Sequence, residues 1–147
     1  MIESYRDLEV WQRAMQLVED VYRACELLPH HEMYGLRAQL QRAAVSIPSN
    51  LAEGHARTST RDFLRFVSIA QGSLAELETQ LILAGRIHGL PDEMLKTRLE
   101  DADRLGRKLR GLQKSLSARL AAADRGSSQP PVPSPQSRIA EDAEEYL

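Results

Sequence analysis

The segment Ser46-Ile47-Pro48-Ser49-Asn50-Leu51-Ala52-Glu53-Gly54 constrains the fold of this chain more than any other stretch. It sets a proline, small residues and helix-averse polar residues inside a run that otherwise reads as helix. Proline has no backbone N–H, and its ring crowds the carbonyl four residues earlier, here that of Ala44. A kink or break is expected there. Yet Leu36, Leu40, Ala43, Ile47 and Leu51 keep helical spacing straight through it. The segment therefore marks either a site or a packing device.

In the first reading, Ser46, Ser49, Asn50 and Glu53 build a binding site. In the second, Ser46 and Ser49 satisfy backbone groups loosened by Pro48, while Ala52 and Gly54 admit a neighbouring helix. Asn50 and Glu53 fit the second reading least, because a buried amide or carboxylate needs a partner. Arg37, Arg42 and Arg57 are the candidates for that partner.

The flanking sequence supplies three more helices. The first is predicted from Asp7, as N-cap, to Leu28, with Pro29 ending it. Its main stripe is Leu8, Trp11, Met15, Val18, Tyr22 and Cys25, and a second stripe (Val10, Leu17, Val21, Leu28) widens the apolar face. The second helix is expected from His31 or Glu32 to about His55, kinked at Pro48. Ser59 caps the third, with Asp62 three residues on, and Thr60 to His88 is its span. Its stripe is Phe63, Phe66, Ala70, Leu74, Leu77, Leu81, Ala84 and His88, and Gly72 in mid-helix suggests close backbone approach.

Gly89 reads as the residue that ends helix three, and Pro91 as the opener of helix four, which is expected to reach Leu120. Leu95, Leu99, Ala102, Leu105, Leu109, Leu112, Leu116 and Leu120 form its inner face. The fold class is all-α: an antiparallel up-down four-helix bundle with a Pro-rich C-terminal extension. Residues 1–120 make the bundle, 121–138 a Pro/Ser-rich linker, and 139–147 an acidic motif with Ile139, Tyr146 and Leu147 as hydrophobic anchors. That tail is either a solvated acidic end or a segment displayed to a protein partner.

Composition narrows the function. One cysteine in 147 residues excludes an internal disulfide framework and fits a reducing compartment. No stretch resembles a signal peptide or approaches a membrane span, so the expectation is a cytoplasmic protein without membrane contact. The chain carries 21 acids and 19 bases; five acids and two bases follow residue 120, which leaves 16 and 17 before it. Near-neutral overall charge neither demands nor excludes nucleic acid.

An ordered series of motifs carries a resemblance. It comprises Tyr5-Arg6-Asp7-Leu8-x-Val10-Trp11, Gly35-Leu36-x-x-Gln39-Leu40-x-Arg42-Ala43-Ala44, the Pro48 segment, and Gly72-Ser73-Leu74-x-Glu76-Leu77-Glu78-Thr79-Gln80-Leu81. Together they closely resemble the bacterial four-helix-bundle proteins encoded in intervening sequences of large-subunit rRNA genes. That family is in turn similar to the accessory variability determinants of diversity-generating retroelements. The match covers about residues 5 to 120. It implies an up-down bundle assembling as a ring, a pentamer, with a basic surface suited to nucleic acid and no established enzymatic activity.

The residues allow that reading to be sharpened. Arg104, Arg107, Lys108, Arg110 and Lys114 are the candidate nucleic-acid contacts, lying along or beside one face of helix four. Cations there neutralise phosphates without reading sequence, and no aromatic residue on that face could stack bases. The plainer alternative is an ordinary solvated face, with Asp101 and Asp103 nearby. Glu76 and Glu78 point to different faces, so an ion pair within or between subunits suits them better than acid–base work. Ser46, Pro48, Ser49, Asn50, Glu53, Gly54, Gly72 and Glu76 are the candidates for a structural motif or subunit contact.

An enzyme is not expected. His30, His31, His55 and His88 show no zinc-site spacing, and Cys25 lies on an apolar stripe, so no metal or cofactor is anticipated. A bundle ribonuclease of the HEPN type wants an arginine followed closely by histidine; Arg23 and His30 meet only the loosest form, with Pro29 between them. The function that emerges is a homo-oligomeric bundle binding RNA or DNA without strong sequence specificity. The competing class is a scaffold whose ring displays the tail to a partner protein.

Overall fold

A computed structural model describes residues 3–126. The expected tail anchors Ile139, Tyr146 and Leu147 lie outside the described residues. Four α-helices account for most of the rest: α1 (Glu9–Cys25), α2 (Leu36–Ala56), α3 (Thr60–His88) and α4 (Asp92–Gly126). Two 3-10 turns, Tyr5–Asp7 and His30–Glu32, precede α1 and α2. No strand occurs among the described residues.

Local chemistry sets the ends. Ser59 accepts a hydrogen bond from the Asp62 N–H and opens α3, while Gly89 closes it in the left-handed conformation at φ 68° and ψ 50°. Both α3 bounds coincide with those read from sequence. At α1 the start moves: Asp7 falls inside a 3-10 turn capped by Ser4, and Leu8 occupies the N-cap position with no side-chain cap. At α2 it also moves, to Leu36, because the His30–Glu32 turn intervenes and the Glu32 carboxylate accepts from the Leu36 N–H at 2.9 Å. Pro91 sits one place outside α4, its carbonyl taking the Leu95 N–H at 3.0 Å. The helix then runs to Gly126, past the expected end at Leu120.

Contacts between helices reverse in order along each chain segment, so neighbours run antiparallel. Ser46 and Gly54 of α2 meet Ser73 and Phe66 of α3. Ser68 and Gly85 of α3 meet Gln113 and Leu95 of α4. Glu9 and Asp20 of α1 meet Lys108 and Arg98 of α4. The core is aliphatic, centred on Val21, Leu40, Ile47, Leu51, Val67, Leu77, Leu81, Leu105 and Leu109. Burying one such side chain is worth about 1.5–3 kcal/mol against leaving it in water.

Within α1 the weight of the two stripes is reversed. Val10, Ala14, Leu17, Val21, Ala24 and Cys25 are buried, whereas Met15 and Tyr22 of the expected main stripe are 39% and 44% exposed. The small Ala14 and Ala24, at 0% and 4% exposure, let α1 lie close to its neighbours. Burial pushes the Cys25 thiol up to about 11, which leaves it protonated and inert at neutral pH.

Candidate interfaces on the bundle surface

The Pro48 segment is continuous helix, and Pro48 itself is buried within it. Its polar residues divide by direction. Ser46 Oγ lies 2.8 Å from Ser73 Oγ on α3, and the Asn50 side-chain amide donates to both Ser46 Oγ (2.9 Å) and the Ser46 carbonyl (2.7 Å). This small network satisfies groups that would otherwise be stranded between two helices. Glu53 points outward and pairs with Arg57, four residues on, at 3.0 Å. Ser49 is exposed.

Gly54 admits the neighbouring helix, as the packing reading of its segment expects, whereas Gly72 departs from the close approach expected of it. A Cβ on Gly54 would lie 2.6 Å from Phe66 Cβ and 2.9 Å from Phe63 Cδ2, so only glycine permits this approach of α2 and α3. Gly72 has nothing within 4 Å of where its Cβ would be. Close approach inside the chain is therefore not the reason for Gly72. It sits on an outward stretch of α3 that also exposes Ile69, Leu83 and Ile87.

The exposed half of α1 and the outer side of α2 form an apolar groove. Trp11, Met15 and Val18 face Val45, Pro48, Ser49 and Ala52 across it, with Tyr5 closing one end. Tyr5 and Trp11 pack edge to face at 5.5 Å. Tyr22 and Val45 continue the surface toward Arg42. A groove floored by proline and alanine and walled by Trp and Met presents apolar area with almost no charge. Contiguous apolar patches of this kind mark interaction surfaces.

The cations of α4 are unequal. Arg104 pairs with Asp101 at 3.5 Å, Arg107 with Asp103 at 3.2 Å, and Lys108 with Glu9 at 3.0 Å. The Lys108 and Arg13 cations hold the Glu9 carboxyl below its ordinary range. Among the described residues, Arg110 and Lys114 join no ion pair within 4 Å. Burial first, and the Asp103 charge second, raise the Glu78 carboxyl, against a smaller opposing effect of Arg110. Glu76 accepts from the Gln80 amide at 3.3 Å and forms no ion pair among the described residues. The stripe seen in sequence thus keeps much of its charge tied up locally, with Arg110 and Lys114 the members open to an external anion.

Sequence spacing missed one further gathering. The end of the bundle brings His31, Glu32 and His88 together, their ligand-type atoms all within 4.8 Å of one another. His88 stands far from the other two along the chain, so no local motif could have announced it. Among the described residues, no helix is long and apolar enough to cross a membrane.

Residues 6–111 match the model of a protein family described as 23S rRNA-intervening sequence protein. A crystal structure of a protein of unknown function from the S23 ribosomal protein family of Bacteroides thetaiotaomicron superposes with a TM-score of 0.66 at 21% identity, over 71% of this chain and 98% of that one. At that identity the likeness is one of fold. No protein among curated ones matches the chain.

Proposed function

The chain belongs to the 23S rRNA-intervening sequence protein family, and from that membership we propose that it acts as a non-enzymatic, cytoplasmic homo-oligomer that holds RNA or DNA by charge. The observation that carries this reading is the α1–α2 groove, which Trp11, Met15 and Val18 line together with Pro48, Ser49 and Ala52. Burying that surface against a second copy removes apolar area from water without stranding any charge. The family resemblance carried by the Pro48 segment and its flanking motifs favours a closed pentameric ring. A ring repeats the α4 face around its axis, so the open cations of each copy act together on a polyanion.

Arg110 and Lys114 lead this contact, and Arg104, Arg107 and Lys108 join it only by giving up acidic partners. Such binding is indifferent to base sequence and weakens steeply with salt. Native mass spectrometry and filter retention of an rRNA fragment test both halves. The expected result is one closed oligomer, turned to monomer by Met15→Glu with Tyr22→Glu, and retention that falls linearly on a log–log salt plot. A monomeric wild-type chain, or no retention at low salt, would overturn the reading.

A further inference from the structure

We propose that His31, Glu32 and His88 form a binding site for one divalent cation of the zinc class at the end of the bundle. Chain geometry brings the ligands in from two directions. His31 and Glu32 lie in the 3-10 turn that precedes α2, and His88 is the last residue of α3, fixed there by the left-handed Gly89. The turn and the helix end are separate in sequence, and a shared ion would tie one to the other.

Glu32 is already oriented as a ligand. One carboxylate oxygen, Oε2, accepts the Leu36 N–H at 2.9 Å and anchors the group. The other, Oε1, lies 3.9 Å from Nε2 of His31 and 3.9 Å from Nε2 of His88. Outer hydrogen bonds of this type fix a metal-binding carboxylate in place. The two imidazoles stand edge to face at 5.8 Å.

His88 supplies the independent observation. Its side chain is 13% exposed, and its Nε2 is buried with no hydrogen-bond partner among the described residues. A separation of 3.9 Å from Glu32 is too long for a hydrogen bond. A buried nitrogen left without a partner is costly, because it has given up its hydrogen bond to water and gained none in return. A cation placed between the three groups uses that nitrogen and removes the cost.

The donor set also selects the metal. Two imidazoles and one carboxylate suit zinc and its first-row neighbours, and do not suit calcium or magnesium, which prefer oxygen throughout. Bonds of about 2.0–2.1 Å in a tetrahedral site set ligand atoms roughly 3.3 Å apart. Both 3.9 Å separations must therefore shorten by several tenths of an ångström: the Glu32–His88 gap by small side-chain rotations, and the His31 gap by movement of a side chain that is 72% exposed. Three protein ligands leave a fourth position for water.

The test uses the untagged full-length chain, stripped with chelator and dialysed against zinc chloride. We expect one zinc per chain, and a rise in Tm with zinc concentration. His31→Ala and Glu32→Gln lower zinc affinity at least tenfold, whereas His30→Ala, altering the neighbouring exposed histidine, leaves it unchanged. Because His88 is largely buried, the exposed His31 carries the test if His88→Ala folds poorly. Absence of stoichiometric zinc, or wild-type affinity in His31→Ala, overturns the proposal; so does equal loss in His30→Ala.

Discussion

The hydroxyls of Ser46 and Ser73 meet at 2.8 Å across the seam between α2 and α3, with the Asn50 amide seated on the Ser46 side of the pair. One turn of helix thus places a polar device directly beside Pro48. It fixes the register of two helices whose other contacts are apolar and less directional. Removing Ser73 leaves Ser46 and Asn50 without a partner on the opposing helix. Ser73→Ala should therefore destabilise by about 1–2 kcal/mol. Denaturant unfolding measures it, and a change below about 0.5 kcal/mol would show that the network contributes little.

Gly54 and Gly72 should respond oppositely to alanine. Gly54→Ala forces a Cβ to within 2.6 Å of Phe66, and the overpacking costs about 1–3 kcal/mol. Gly72→Ala meets nothing and gains helix propensity, about 0.5–1 kcal/mol of added stability. Thermal melts of the two variants compare them directly, and a destabilised Gly72→Ala monomer would contradict this account.

Glu78 gives a pH dependence of defined sign. Its folded carboxyl titrates above the ordinary value, so the folded state holds the proton more tightly than the unfolded state. Its contribution favours folding in acid and is lost as pH rises from the unfolded value through the folded one. Glu78→Gln should match the wild-type Tm below the carboxylate range and exceed it at neutral pH. Melts at the two extremes decide it. A variant less stable at neutral pH would mean that the Arg110 attraction outweighs burial and Asp103.

Asp101 and Asp103 hold back two of the α4 cations. The double variant Asp101→Asn with Asp103→Asn should tighten nucleic-acid binding and steepen its log–log salt slope, by up to about 0.9 for each new phosphate contact. Arg110→Gln with Lys114→Gln should do the reverse. Unchanged slopes in both variants would place the polyanion elsewhere on the surface.

Much of the fold was legible because its signals are local. Ser59 and Gly89 mark the α3 ends by backbone chemistry that needs no tertiary information. The α1 face was misread because alanine contrasts weakly with polar neighbours: Ala14 and Ala24 are buried, while the more conspicuous Met15 and Tyr22 are not. Gly54 and Gly72 look alike in sequence, and only the helix facing each one distinguishes them. The same holds for charge. Periodicity found the cations of α4, but pairs such as Lys108–Glu9 depend on which helix lies alongside.

The α1–α4 seam has a kinetic consequence. The other antiparallel seams traced above join helices consecutive in the chain, whereas Glu9–Lys108 and Asp20–Arg98 join its first helix to its fourth. Long closures carry the larger entropy cost and form late. The α2–α3 hairpin, the most extensively packed pair, should assemble first, and the α1–α4 seam should close last. Native-state hydrogen exchange should accordingly find α1 amides opening before those of α3. Equal protection in the two helices would mean that the molecule opens only as a whole.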